Sequence, residues 1–176
     1  MVPNTTYWLL AYAQSLSGDI IEVGSWQGRN TCFLAAACRD SNNGMVHAID
    51  HFRGNPGKPG AYVIGEPDLS DLERNFRENV RRAGLDDWIY LHAADSRSVQ
   101  VNTRARMLFI DAEHTYEAVL ADLEKFGPLV ASGGIVAFDD FTSDAPGVVR
   151  AVDEWLANAD ALTPVTFGRT LVVRLR

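Results

Sequence analysis

A hydrophobic strand that leads into a glycine-containing turn and then a helix does most to constrain the fold of this chain. The apolar run at residues 19–23 is followed by a turn at 24–28 and a helix-like run at 31–37, and a second short strand, 46–49, ends on Asp50. Glycines let a backbone approach a ligand, and the start of a helix offers unpaired N–H groups. An acid at the tip of the next strand can bind both hydroxyls of a ribose. The pattern therefore predicts a nucleoside-binding site.

The rest of the chain continues this alternation of short apolar strands and longer amphipathic runs. Further strands are predicted at 89–93, 105–110 and 135–138. Helices are predicted at 5–16, 30–39, 68–83, 115–126 and 147–156. The alternation predicts an α/β protein with a Rossmann-like, doubly wound and mostly parallel sheet of seven strands.

Two turns complete this organisation. Gly133-Gly134 is predicted to turn the chain before the strand at 135–138. The last two strands, 164–167 and 171–173, are separated by a short turn at Gly168-Arg169. So short a connection predicts an antiparallel C-terminal hairpin at one edge of the sheet.

Length, charge and cysteine content narrow the class of protein. A chain of 176 residues suits a single domain, 1–176, and its net charge of −7 argues against a nucleic-acid-binding surface. No apolar run approaches the roughly 18 residues that cross a bilayer, and the start lacks the basic region of a secretory signal. Cys32 and Cys38 face different sides of one predicted helix, so we expect them unbridged. These features predict a cytoplasmic protein without membrane or nucleic-acid partners.

The segment 51–67 departs from the alternation of strands and helices. Its centre is rich in proline and glycine and it is long for a connection between a strand and a helix. Such a segment is either a surface loop or a mobile lid over a site. We keep both interpretations open.

Acidic and small polar residues follow the predicted strands. They are Asp50, Asp95 with Ser96, Asp111, and Asp139 with Asp140. In open α/β sheets, ligands bind beyond the carboxyl ends of the strands. Any one of these residues could be a helix cap, but the set as a whole favours a binding site.

The glycine spacing argues against a dinucleotide. Gly24 and Gly28 give G-x-x-x-G, and Trp26 lies where a pyrophosphate would need a small side chain. The chain also lacks the G-x-x-x-x-G-K-[ST] pattern of a P-loop. A ligand that carries a nucleoside without phosphates fits better.

The segment from Glu22 to Gly28 resembles motif I of the class I S-adenosylmethionine-dependent methyltransferases. The resemblance implies S-adenosylmethionine as cofactor, with Asp50 at the ribose and Asp95-Ser96 at the adenine amino group. Trp26 would be a wall of the methionine pocket or a packing residue. The implied cofactor-binding residues are Glu22, Gly24, Ser25, Trp26, Gly28, Asp50, His51, Asp95, Ser96 and Asp111.

Two later segments resemble the signatures of metal-dependent sugar O-methyltransferases of the macrocin and noviose type. They are 108–116, followed by Ala121-Asp122-Leu123, and 133–140. The resemblance implies methylation of a small hydroxylated acceptor, either a sugar or a catechol-like compound. His114 would be the catalytic base, with Glu113 as the alternative.

A magnesium site is predicted at the same strand ends, on Asp111, Asp139 and Asp140. If the two strands that precede these acids are neighbours, their tips lie about 5 Å apart. Carboxylate oxygens are ligands that Mg²⁺ prefers, and a bound metal lowers the pKa of an acceptor hydroxyl.

Two other classes of function stay open. The chain could be an accessory or sensor module that binds S-adenosylmethionine or S-adenosylhomocysteine without transferring a methyl group. It could also be a nicotinamide-dependent oxidoreductase, although the dinucleotide fingerprint is lacking. For the methyltransferase interpretation, a second copy of the chain in a homo-oligomer could complete the acceptor pocket.

Overall fold

Seven strands form one mixed sheet in the computed structural model, which describes residues 4–54 and 69–176. The strands are β1 Asp19–Val23, β2 Val46–Ile49, β3 Ile89–His92, β4 Ala105–Ile110, β5 Val130–Phe138, β6 Val165–Phe167 and β7 Thr170–Arg174. Their order across the sheet is β3-β2-β1-β4-β5-β7-β6. The first five strands are parallel, while β7 is antiparallel to both of its neighbours. The predicted fold class, including the C-terminal hairpin, is confirmed.

Helices cover both faces of this sheet. They are α1 Asn4–Ser15, α2 Arg29–Ser41, α3 Leu72–Ala83, α4 Tyr116–Phe126 and α5 Pro146–Leu156, with short 3₁₀ turns at Leu69–Asp71, Asp86–Trp88 and Gly127–Leu129. Gly84 ends α3 at φ 64°, in the left-handed region that favours glycine. The hydroxyl of Thr115 caps α4 by accepting a hydrogen bond from the Ala118 amide at 3.3 Å.

Two hydrophobic cores lie on opposite faces of the sheet. Ile20 packs with buried residues of α1, α2 and α3, and the next residue, Ile21, packs with residues of α4 and α5. Because successive side chains of a strand point to opposite faces, a strand covered on both sides needs apolar residues at consecutive positions. All six residues of β4 are buried, as expected for a strand at the centre of a doubly wound sheet.

Gly133-Gly134 does not separate two elements, and this part of the prediction was wrong. β5 begins at Val130, and its pairing with β4 passes from Ala105↔Val130 directly to Met107↔Ile135. The extra residues form a bulge within the strand. A Cβ at Gly134 would lie 2.7 Å from the Ala131 carbonyl oxygen, so the glycine is required by close packing in the bulge.

Two other predictions concern chain features away from the sheet. Cys32 and Cys38 are both free thiols, as expected.

The proposed lid at 51–67 lies outside the described residues from position 55 onward. Among the helices that the structure describes, none has the length and apolar character that crossing a bilayer requires.

Candidate functional site

The strand order reverses between β1 and β4, and a cavity opens there at the carboxyl ends of the strands. Its volume is about 400 Å³. Crevices at this switch point are where open α/β sheets bind their ligands. The cavity is lined by eight of the predicted site residues, namely Gly24, Trp26, Asp50, His51, Asp95, Ser96, Asp111 and Glu113.

The turn between β1 and α2 passes directly against the end of β4. Gly24 has φ 89°, and a Cβ there would lie 2.0 Å from the backbone oxygen of Asp111. Any side chain at this position would displace the strand end, so the turn requires glycine. Trp26, also at positive φ, is 36% exposed and forms part of the cavity wall.

Asp50 holds this turn in place from the tip of β2. Its Oδ2 accepts hydrogen bonds from the amides of Ser25 at 2.9 Å and Trp26 at 2.8 Å. Its Oδ1 accepts from the Phe52 amide at 2.6 Å. A carboxylate has about four acceptor positions, so Asp50 keeps acceptor capacity towards the cavity that it lines.

Glu22 lies behind the turn rather than in the cavity wall. It is completely buried, and its Oε2 accepts hydrogen bonds from the hydroxyls of Ser25 and Thr31. Burial raises the pKa of Glu22 to about 7, against the lowering effect of these two hydroxyls. The residue therefore links β1, the turn and α2 without lining the cavity itself.

The loop after β3 forms the opposite wall. Arg97 donates two hydrogen bonds to Asp95, one to each carboxylate oxygen, at 2.8 and 2.5 Å. This guanidinium holds the pKa of Asp95 well below its usual range. Lys125 of α4 donates from Nζ to the carbonyl oxygens of Ser96 and Arg97 at 2.8 and 2.7 Å, which fixes the loop against the helix.

Asp111 lies at the other end of the cavity. Its Oδ2 accepts a hydrogen bond from Asn30 Nδ2 at 3.2 Å. Burial raises the pKa of Asp111 well above its ordinary value, and the nearby carboxylates of Asp139 and Glu22 raise it further. Carboxyl groups are thus concentrated at the ends of β1, β4 and β5, and their proximity favours the protonated form of Asp111.

β4 and β5 are neighbours, as the predicted metal site requires, and the Asp139 amide donates to the Ile110 oxygen at 2.9 Å. Asp139 Oδ1 accepts from the Thr170 hydroxyl at 2.5 Å. Asp140 Oδ1 accepts from Arg169 Nε at 2.7 Å. Both of these partners come from the C-terminal hairpin.

His114 lies beside this strand end. Its Nε2 is 3.4 Å from Asp140 Oδ2, and both side chains are mostly buried. It does not belong to the cavity wall, whereas the adjacent Glu113 does. Among the residues that the structure describes, no three acidic, histidine or cysteine side chains are grouped closely enough to hold a metal ion.

A comparison with known families decides what kind of domain this is. A family model described as a methyltransferase domain matches residues 21–141, which is more than half of the chain. The chain belongs to this methyltransferase family. The match begins within β1 and ends just after Asp140, so it includes the turn, the cavity walls and the acidic strand ends.

Solved structures show that this chain has the class I methyltransferase fold. The O-methyltransferase NovP superimposes with a TM-score of 0.78 at 21% identity, over 97% of this chain and 78% of NovP. The calicheamicin methyltransferase CalS11 superimposes with a TM-score of 0.71 at 21% identity, over 97% of this chain and 77% of CalS11.

A curated relative is more similar to this chain in sequence than these two structures are. It is the 8-demethyl-8-(2,3-dimethoxy-alpha-L-rhamnosyl)-tetracenomycin-C 4'-O-methyltransferase of Streptomyces olivaceus, which is 29% identical over 149 residues. The aligned region is 76% of this chain and 56% of the relative. The chain thus matches little more than half the length of that protein.

Several residues of this site were given no role by the sequence analysis. Asn30, Arg169 and Thr170 bind the acidic strand ends from positions at least 29 residues away in sequence, and no local pattern indicates such pairings. Asp122 is different, because it occupies a position on the buried face of α4 where an apolar residue is expected. A carboxylate at an apolar position of a helix is a sequence signal that could have identified Asp122 as a site residue.

Proposed function

We propose that this chain is an S-adenosylmethionine-dependent O-methyltransferase that acts on a small hydroxylated acceptor of the sugar or natural-product type. The observation that carries the proposal is the cavity at the switch point, which lies within the family match and is lined by the glycine turn and the acidic strand ends. The names of NovP and of the tetracenomycin relative support transfer to oxygen, and the latter supports a sugar hydroxyl.

The residues present fit S-adenosylmethionine. The cavity has a backbone turn without bulky side chains at Gly24, and Asp50 keeps about one free acceptor position, suited to a ribose hydroxyl. Ile49 and Ala94 add apolar surface suited to a purine ring. We propose that Trp26 borders the methionine part and that His51 borders the adenosine.

Bound S-adenosylmethionine supplies a methyl group that its sulfonium has already activated. The chain's own residues must therefore place an acceptor oxygen in line with that group at near-attack distance. The acidic strand ends after β4 and β5, on the far side of the cavity from Ser96, are the proposed acceptor region. Their carboxylates are suited to hydrogen bonding with sugar hydroxyls.

A base must take the proton of the acceptor hydroxyl. We propose His114, whose imidazole is held by Asp140 at 3.4 Å and whose ordinary pKa suits proton transfer near neutral pH. Glu113 is the alternative, because it lines the cavity. The two side chains are adjacent in sequence, so separate substitutions are needed to distinguish them.

Metal dependence is a finer part of the proposal. Asp111, Asp139 and Asp140 have the oxygen donors that Mg²⁺ prefers, but they are not grouped closely enough among the described residues to hold an ion, so binding would require their side chains to move together. When bound, the metal would lower the pKa of an acceptor hydroxyl. Asp139 and Asp140 are engaged by Thr170 and Arg169, so both would have to give up or share these partners.

The proposal is tested by a screen of sugars, glycosylated natural products and catechols with S-adenosylmethionine, in the presence and absence of Mg²⁺. Release of S-adenosylhomocysteine is the readout, and the position of the new methyl group is determined by NMR. We expect turnover with a hydroxylated acceptor and a product methylated on oxygen. Binding of S-adenosylhomocysteine without turnover of any acceptor would instead favour the accessory-module alternative.

A further inference from the structure

A buried carboxylate lies at the wall of the cavity without a role in the proposal so far. Asp122, on α4, is 5% exposed and lines the cavity. It lies on the buried face of the helix between Val119 and Phe126, where the neighbouring turns contribute apolar side chains. An ionisable group is costly at such a position unless something uses it.

The surroundings of Asp122 leave part of its acceptor capacity unused. Ser96 is its hydrogen-bonding partner, and the charged groups facing it are Asp95, Arg97 and Lys125. Both oxygens of Asp95 are already bound by Arg97, and the Lys125 ammonium binds backbone oxygens. Asp122 has acceptor positions beyond the one that Ser96 uses.

Small apolar residues border Asp122 on the cavity wall. Ala94, Ala118 and Ala121 line the same cavity, and Ile49 lies at the tip of β2. Alanines leave room for a flat ring and supply no hydrogen bonds. A ring placed here would find its directional contact at the polar groups of Asp122 and Ser96.

We propose that Asp122 accepts a hydrogen bond from the exocyclic amino group of the adenine ring and makes the site select adenine over 6-oxopurines. This inference rests on the proposed function, since it assigns a specificity-determining residue to the same cofactor cavity. It differs from the expectation that Asp95 contacts the amino group, because Asp95 accepts three hydrogen bonds from Arg97 and its side chain is 39% exposed, whereas Asp122 is buried in the cavity wall and accepts from Ser96.

The chemistry of the two purines explains the selectivity. An ionised carboxylate only accepts hydrogen bonds, so it matches the adenine amino group, which donates. A 6-oxopurine carries a carbonyl oxygen at that position, and two acceptors would face each other across a buried contact. Burial raises the pKa of Asp122 to about 6, which still leaves it mostly ionised at pH 8.

The test is calorimetry at pH 8 with S-adenosylhomocysteine and S-inosylhomocysteine, which differ at the purine 6-position. The variants are Asp122→Asn and, as a matched control, Glu124→Gln, which removes an exposed carboxylate from the same helix. Asparagine can accept from an amino group or donate to a carbonyl. It therefore removes the basis for discrimination while keeping the shape of the side chain.

We expect the unmodified protein and Glu124→Gln to prefer the adenosyl ligand by at least about tenfold, the scale of one charged hydrogen bond. In Asp122→Asn the preference should shrink to about threefold or less. Ser96→Ala provides a second variant if Asp122→Asn fails to fold, and it should weaken the preference in the same direction.

Two results would overturn the inference and are distinguishable. An unchanged preference in folded Asp122→Asn, with tight binding of S-adenosylhomocysteine, contradicts the role of Asp122 and leaves the proposed function intact. Failure of the unmodified protein to bind S-adenosylhomocysteine contradicts the proposed function itself, and the inference is lost with it.

Discussion

At the scale of single residues, Glu22 shows how a buried acid can organise a binding turn from below. Its Oε2 holds the hydroxyls of Ser25 and Thr31, while Oε1 has no hydrogen-bonding partner among the described residues. Burial raises its pKa to about 7, so the folded state favours the protonated form. The contribution of protonated Glu22 to the free energy of unfolding is complete below the ordinary pKa of 4.5. It is lost as the pH rises towards 7, the pKa in the folded state.

We therefore predict that Glu22→Gln, which cannot ionise, gains stability relative to the unmodified protein as pH rises. The difference in unfolding free energy should change by on the order of 2 kcal/mol between pH 5 and pH 8. If the buried amide of the Glu22→Gln variant costs stability, the cost is the same at both pH values and does not alter the predicted change between them. Urea unfolding at both pH values measures it, with Glu124→Gln as the control; parallel curves for Glu22→Gln would show that Glu22 titrates normally.

The neighbouring residues Glu113 and His114 require a test that separates them. If His114 is the base, His114→Ala should lower kcat by about a hundredfold or more, and imidazole in the buffer should restore part of it. Affinity for S-adenosylhomocysteine should not change. Glu113→Gln should have a smaller effect that imidazole does not relieve. The reverse pattern would assign the proton transfer to Glu113.

At the scale of elements, the ends of β4 and β5 combine several functions within one short stretch of surface. Their acids receive hydrogen bonds from α2 and from the C-terminal hairpin, so three separate elements determine the position of the carboxylates. The hairpin thus contributes to the site through Arg169 and Thr170 as well as extending the sheet.

Metal dependence is tested at these strand ends. We predict that Asp139→Asn loses Mg²⁺-stimulated turnover and keeps its affinity for S-adenosylhomocysteine, because Asn retains an oxygen for Thr170 and loses the charge that binds the cation. Asp153→Asn is the control, since Asp153 is exposed on α5. Full turnover of the unmodified protein in EDTA would remove the metal from the mechanism.

The elements that the sequence predicts well are those whose signal is local. β1, β2 and β4 follow from short, mostly apolar runs, and Gly84 and Thr115 mark helix ends through their own conformational preferences. Gly133-Gly134 was misinterpreted because glycines form bulges as well as turns, and only the pairing with β4 distinguishes the two.

At the scale of the whole molecule, the position of the site follows from the order of the strands. The acids after four of the parallel strands were predictable because parallel strands end at one edge of the sheet. Their hydrogen-bonding partners were not, since Arg169 meets Asp140 only after the hairpin joins the sheet beside β5. The buried position of Asp122 was visible in the helical pattern, but its place at the cavity depends on how α4 packs.

We propose that the cavity at the switch point holds S-adenosylmethionine. Calorimetry with S-adenosylhomocysteine and with NAD is the most direct test. We predict saturable binding of one S-adenosylhomocysteine per chain. We predict no binding of NAD, because the turn at Gly24 and Gly28 lacks the spacing that a pyrophosphate requires. Binding of NAD without binding of S-adenosylhomocysteine would contradict it.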